Sequence, residues 1–221
     1  MKKIGMISVT LAAVGPMMEQ FQRYKDIVAV TNYVDTGLQD QVRRIGEVTD
    51  QSLFRLISLL QRAEEDGMDG VLLTCTVFSP FVERIQTLFS FPIQSVDTPM
   101  LERALEHGGS VGVLYTFPAT GKTSEMVFRD AEKRFGVKRD LSMIFLEEAF
   151  NASQHGDQEA HDRAILDAIS THAPNFDVLV LAQVSMAHVA EQVADPSLQI
   201  LTSPVEAIRS MLRAIDSRER K

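Results

Sequence analysis

Cys75 is the only cysteine in a chain of 221 residues, and it stands between two hydroxyl side chains as Thr74-Cys75-Thr76. A thiolate is a strong nucleophile near neutral pH, and a thiolate–thiol couple can take and return a proton. Gly70-Val71-Leu72-Leu73 precedes it, a short apolar run after the polar Asp69, which reads as a buried parallel strand. Ser79 follows as a helix N-cap with Pro80 at the first helical position. Cys75 is therefore expected at the carboxyl end of a strand, in the turn before a helix, where open α/β sheets bind ligands. Helix N–H groups in such a turn attract anions and favour the thiolate. A lone cysteine is more often a small buried hydrophobe. The flanking threonines and the strand–turn–helix position shift the balance toward chemistry.

The elements that must position this thiol alternate along the whole chain. Strands are predicted at residues 3–9, 26–34, 91–96, 110–115, 141–146, 177–181 and 198–201, in addition to the one before Cys75. Helices are predicted at 17–24, 51–66, 100–107, 125–135 and 157–170, with further ones after Ser79-Pro80, after Gln183 and after Thr202-Ser203-Pro204. Gly15-Pro16 is read as a break, Asp35-Thr36-Gly37 as the end of a strand, and residues 116–123 as a turn. Thr49 or Asp50 caps the helix carrying Leu53, Leu56, Leu59, Leu60 and Ala63 at helical spacing. The pattern is that of an α/β fold with mainly parallel sheets.

Composition narrows the function classes. The chain is 45% hydrophobic and 24% charged with a net charge of −8, which argues for a globular protein and against a nucleic-acid surface. A single cysteine excludes an internal disulfide, and no Cys/His cluster has zinc spacing. The N-terminal apolar run is broken and no cleavage site follows, and no stretch is long enough to span a membrane, so a cytoplasmic location is expected.

The two halves of the chain match in spacing. Cys75 lies six residues after Asp69, and Gln183 six after Asp177. Gly5 to Cys75 spans 70 residues, and Gly112 to Gln183 spans 71. Asp97-Thr98-Pro99 has its counterpart in Thr202-Ser203-Pro204. The repeat predicts two similar lobes, 1–97 with 205–221 and 98–204, whose strand ends meet across one cleft.

With these motifs in place, the chain resembles the aspartate/glutamate/hydantoin racemase superfamily. Thr74-Cys75-Thr76 resembles that family's Cys-Asn-Thr strand end. Val111 through Thr120 resembles the middle strand of hydantoin racemases with its T-x-P-x-T turn. Leu181-Ala182-Gln183-Val184-Ser185-Met186-Ala187 resembles the second strand end, where L-G-C-A-G-M-A is the family pattern. The resemblance covers nearly the whole chain. It implies two pseudosymmetric, Rossmann-like α/β lobes with the active site between them, no cofactor and no metal. It also implies a small carboxylate or hydantoin substrate, and homodimers are usual in the family. Cys75 becomes the first-lobe acid/base, and Ser8, Thr74, Thr76, Thr116 and Thr120 become candidates to bind the substrate's carboxylate or carbonyl.

The chain departs from the family where Gln183 stands in place of the second cysteine. A glutamine amide neither takes nor gives a proton near neutral pH. Gln183 is expected to hydrogen-bond the substrate instead, with Ser185 assisting. Four readings follow: a one-cysteine racemase or isomerase; a maleate-isomerase-like enzyme with Cys75 as nucleophile; a decarboxylase; and a non-catalytic binding protein for a small acid. The single-cysteine decarboxylases of the superfamily keep the opposite cysteine, which counts against the third. Among the remaining polar residues, His161-Asp162 is read as a solvated helix face, His188 as packing or surface, and Asp97 as a helix cap.

Overall fold

The computed structural model describes residues 1–195 and 197–219. It divides into two units, Met1–Val96 with the chain from Ala207 onward, and Asp97–Glu206. The first contains β1 (Lys2–Ser8), α1 (Val14–Gln22), β2 (Val28–Val34), α2 (Thr36–Ile45), α3 (Asp50–Glu65), β3 (Gly70–Leu73), α4 (Val82–Gln86) and β4 (Ile93–Ser95). The second contains α5 (Thr98–His107), β5 (Ser110–Tyr115), α6 (Pro118–Phe135), β6 (Asp140–Phe145), α7 (Glu147–Gln154), α8 (Gln158–His172), β7 (Val178–Leu181), α9 (Ala187–Ala190) and β8 (Ile200–Thr202). The last helix, α10 (Ser203–Glu219), starts in the second unit and continues into the first. There Met211 and Ile215 lie against the Gly70 backbone so closely that a Cβ would collide with the Met211 sulfur.

Each unit holds one four-stranded parallel sheet, ordered β2-β1-β3-β4 in the first and β6-β5-β7-β8 in the second. The central strands are apolar because both of their faces are covered. In the second unit the alternation is visible residue by residue. Val111, Val113, Val178 and Val180 face a cluster with Val127 and Phe128 of α6. Leu114, Leu179 and Leu181 face the other way, toward Ile165 and Ile169 of α8. In the first unit Ile7, Val71 and Leu73 pack with Leu56, Leu60 and Ala63 of α3.

The spacing repeat has a structural cause. Asp69 Oδ2 accepts the Lys3 backbone N–H at 2.7 Å, and Asp177 Oδ2 accepts the Ser110 backbone N–H at 2.7 Å. Each aspartate thereby pins the start of one inner strand to the other. With Val71 opposite Gly5 and Leu179 opposite Gly112, Cys75 and Gln183 leave their sheets at equivalent points.

Several local expectations are revised. α1 runs through Gly15-Pro16, because a proline in the first helical turn loses no hydrogen bond the helix needs. Asp35-Thr36-Gly37 does not merely end a strand. The Asp35 carboxylate caps α2 by accepting the Leu38 N–H, and Gly46 closes that helix at φ 87°. α6 begins at Pro118, seven residues before the predicted start, so Thr120 is helical. α7 follows β6 where no helix was expected. Asp97 occupies the N-cap position of α5 but is fully buried, and its side chain makes no capping bond.

The Asp177 carboxylate also accepts the Ser110 hydroxyl, and these two bonds hold it below the ordinary carboxylate range. A depressed folded pKa means stability present above the ordinary value of 3.8 and lost as pH falls through the lower folded value. Asp177→Ala is therefore expected to lower the melting temperature at pH 7, with the gap to the parent protein closing below about pH 4. Melts followed by circular dichroism would show this; a gap unchanged in acid would mean that the carboxylate's charge contributes nothing.

Candidate active site

β3 delivers Thr74 and Cys75 to the carboxyl edge of the first sheet, beside the end of β1. Thr74 donates its hydroxyl to Ser8 Oγ at 3.1 Å, and its backbone N–H donates to the Ile7 carbonyl. Ser8 and Thr74 are both buried. Because Ser8 Oγ accepts from Thr74, its own proton is directed elsewhere. Cys75 is half-buried, packs against the first unit's core and forms no disulfide.

The helix expected after Ser79-Pro80 is different in kind. Thr76–Phe81 forms a 3-10 turn that begins directly after Cys75, and α4, which follows, has only five residues. Pro80 lies inside the turn. Ser79 does not cap a helix; its hydroxyl meets Ser95 Oγ at 2.5 Å at the end of β4. Any N–H assistance to a thiolate here comes from the first amides of this turn rather than from a long helix dipole. Thr76 is half-buried at the start of that turn.

The equivalent edge of the second sheet is built around an amide. Gln183 Oε1 accepts the Thr116 backbone N–H at 3.0 Å, and Gln183 Nε2 donates to Thr116 Oγ1 at 3.0 Å. The backbone N–H can only donate, which fixes the amide's orientation. With Oγ1 already accepting, the Thr116 hydroxyl proton is left to donate onward. Thr116 and Thr120 are buried, and Ser185 is half-buried in the Val184–Met186 3-10 turn. The first unit thus gathers Ser8, Thr74, Cys75 and Thr76, and the second gathers Thr116, Thr120, Gln183 and Ser185, each set at the carboxyl edge of its own sheet.

Known proteins agree with this architecture. The family model for Asp/Glu/hydantoin racemases matches residues 17–212. The chain belongs to the Asp/Glu/hydantoin racemase family. No curated protein matches its sequence. Among solved structures, an aspartate racemase homologue from Pyrococcus horikoshii aligns with TM-score 0.72 and 15% identity over 98% of this chain and 100% of that one. An aspartate racemase from Picrophilus torridus aligns with TM-score 0.68 and 13% identity, covering 98% and 95%. An allantoin racemase from Klebsiella pneumoniae aligns with TM-score 0.68 and 12% identity, covering 98% and 88%. At these identities the likeness speaks to the fold.

In this racemase-family chain, no group of three or more His, Cys, Asp or Glu side chains among the described residues is arranged to hold a metal ion. No described helix is long and apolar enough to cross a membrane.

The histidines are more organised than the sequence indicates. His161 is buried rather than part of a solvated face. Its Nδ1–H donates to Asp162 Oδ1 at 2.9 Å, while His188 Nε2–H donates to Asp162 Oδ2 at 2.7 Å. A carboxylate only accepts, so both ring nitrogens must carry protons. His188 is therefore neither idle packing nor plain surface: it ties α9 to α8. Gln158 adds a third donor at 2.7 Å. Burial alone would raise the Asp162 carboxyl, yet the bonds from His161, His188 and Gln158 hold it below the ordinary range. Asp162→Ala strands a buried His161 donor and is expected to cost about 1–3 kcal/mol in denaturant unfolding. His188→Ala should cost less, because that ring is 35% exposed. Equal losses for the two variants would mean that the His188–Asp162 bond, common to both, and not the stranded His161 donor sets the energetics.

Proposed function

We propose that this chain is a cofactor-independent racemase or isomerase acting on a small carboxylate or hydantoin, with Cys75 as its acid/base. One observation carries the reading: in a chain of the racemase family, Cys75 leaves the carboxyl end of the inner strand β3 between two threonines, beside the Ser8–Thr74 hydroxyl pair. In the proposed reaction the Cys75 thiolate takes the proton from the carbon next to the carboxylate or carbonyl. The bonding pair moves into that group as an enolate. Hydroxyl and amide donors stabilise the new charge. Ser8 and Thr76 are the donors proposed on the first unit, with Thr74 binding through Ser8 by holding its hydroxyl as a donor, and Thr116 and Thr120 are those on the second. Ser185 assists them.

Gln183 replaces the second thiol in this proposal. Its amide does not titrate, so its role is to hold the Thr116 hydroxyl as a donor toward a substrate oxygen. The proton for the opposite face then comes from water or another group.

The engaged amide also favours a second reading, in which a single thiol suffices. The Cys75 thiolate adds to one carbon of a cis double bond, the pair from that bond moves to the carboxylate-stabilised neighbour, the single bond rotates, and expulsion of the thiolate restores the double bond as trans.

Proton NMR in deuterated water separates the two. With amino acids and hydantoins, exchange of the hydrogen next to the carbonyl is expected for the parent protein. In Cys75→Ala it should slow by a factor of about 100 or more. Conversion of maleate without such exchange would instead establish thiol addition. Exchange that survives in Cys75→Ala would remove Cys75 from the chemistry altogether.

A further inference from the structure

Four aromatic rings meet at the carboxyl edge of the second sheet, beside Thr116. Tyr115 ends β5, and Phe145, its register partner, ends β6. Their ring centroids are 5.5 Å apart. Phe150 of α7 lies 5.8 Å from Phe145 and 6.4 Å from Phe117, the residue before α6. The rings are mutually tilted at 35°, 52° and 54°, with centroids inside the range of about 4.5–7 Å over which aromatic pairs attract.

This is not simply the margin of the core. Phe117 and Phe145 remain 36% and 37% exposed, while Tyr115 packs against the neighbouring hydrophobic cluster. The arrangement is also locally enforced. The Tyr115 ring approaches the first turn of α6 so closely that a Cβ at Gly121 would collide with it. Glycine there is what lets the ring reach the edge.

We propose that these rings form the subsite for the substrate's substituent, and that the substituent is an aryl group on the carbon next to the carboxylate or hydantoin carbonyl. The inference rests on the isomerase reading above and names its substrate class. Three observations converge on it. Tyr115 and Phe117 flank Thr116 in the chain, and Gln183 holds the Thr116 hydroxyl as a donor, so ring-bearing residues stand directly beside the proposed oxygen-binding group, the mix of apolar wall and placed polar group found in small-molecule sites. Glu147 and Glu148 open α7 between Phe145 and Phe150, and both are exposed. They repel a second carboxylate, which disfavours the side chain of aspartate or glutamate. The third is chemical: an aryl group delocalises the carbanion and makes the neighbouring proton more acidic. That compensates for a site in which the position of a second thiol is occupied by an amide.

The test measures binding on the full-length Cys75→Ala chain, where turnover does not interfere. Saturation-transfer NMR and competition titrations would compare phenylglycine and 5-phenylhydantoin with alanine, 5-methylhydantoin and glutamate. The aryl probes are expected to bind about tenfold tighter than their methyl counterparts. Adding Phe117→Leu or Phe145→Leu, variants checked to melt near the parent, should shrink that preference to about threefold. Equal affinities, tighter binding of glutamate, or a preference untouched by both leucines would overturn the aryl subsite. So would a change in oligomeric state on leucine substitution with probe binding unaltered, since the rings would then face another copy. Hydrogen exchange by the Cys75-containing chain separates this claim from the one beneath it. Aryl preference without exchange of any probe would sink the proton-transfer reading and leave the subsite; exchange of methyl or acidic probes without aryl preference would do the reverse.

Discussion

In both sheets an aspartate carboxylate accepts the backbone N–H at the start of the neighbouring inner strand, Asp69 from Lys3 and Asp177 from Ser110. Register is what this contact controls. A parallel pair shifted by one residue turns every side chain to the opposite face. For β3 that would carry Val71 and Leu73 out of the core formed with α3. It would also change which residue meets the Ser8 hydroxyl. The position of Cys75 at the strand edge is thus set six residues upstream, at Asp69, by a charge-assisted bond at the far end of the sheet.

The two halves share this frame and diverge in what they hang on it. At the first edge the polar pair is Ser8 and Thr74, two hydroxyls in contact beside a thiol. At the second it is Thr116 and Gln183, where an amide commits one acceptor and one donor to a single threonine. Both arrangements have the same consequence for hydrogen bonding. One hydroxyl oxygen accepts, so its proton is available to donate. Sites ready to donate suit a developing oxyanion and are poor at removing protons. In the proposed reaction, proton removal then falls to the thiol, which occurs only once in the chain.

The strands were legible in the sequence because two-sided burial makes them continuous apolar runs, as in Val178–Leu181. The aspartate spacing was legible for the same reason that it works: it is a register constraint written in one short segment. The helices after β2 and β6 and the first turns of α6 were not. Thr36-Gly37 carries turn-forming residues, and residues 116–123 combine threonine, proline and glycine; both read as loops on local propensity. In the fold, Asp35 caps α2 and Pro118 sits at the first position of α6, so the same residues start helices. The side-chain couplings were out of reach altogether. Thr116 and Gln183 are 67 positions apart, and Asp162 and His188 are 26 apart. Only the folded chain reveals that His161 is a buried donor and not a solvated charge.

These unread helices carry an argument about specificity. α2 follows β2 and α7 follows β6, so they occupy equivalent places beside the carboxyl edges of two sheets of identical order. Their chemistry differs. α2 is anchored by Asp35, whose carboxylate takes the Arg55 guanidinium at 2.5 Å through both Nε and Nη2. A bidentate pair of that kind leaves an edge polar and geometrically fixed. α7 instead brings Phe150 onto Phe145, leaving an apolar, ring-lined edge. The inner strands need their hydrophobic sequence to hold the sheet, and the residues just after them need their polarity for the proposed reaction. The helices after β2 and β6 are free of both demands. That freedom makes it the part of the frame in which one racemase-family chain can change what it recognises without disturbing how its thiol is held.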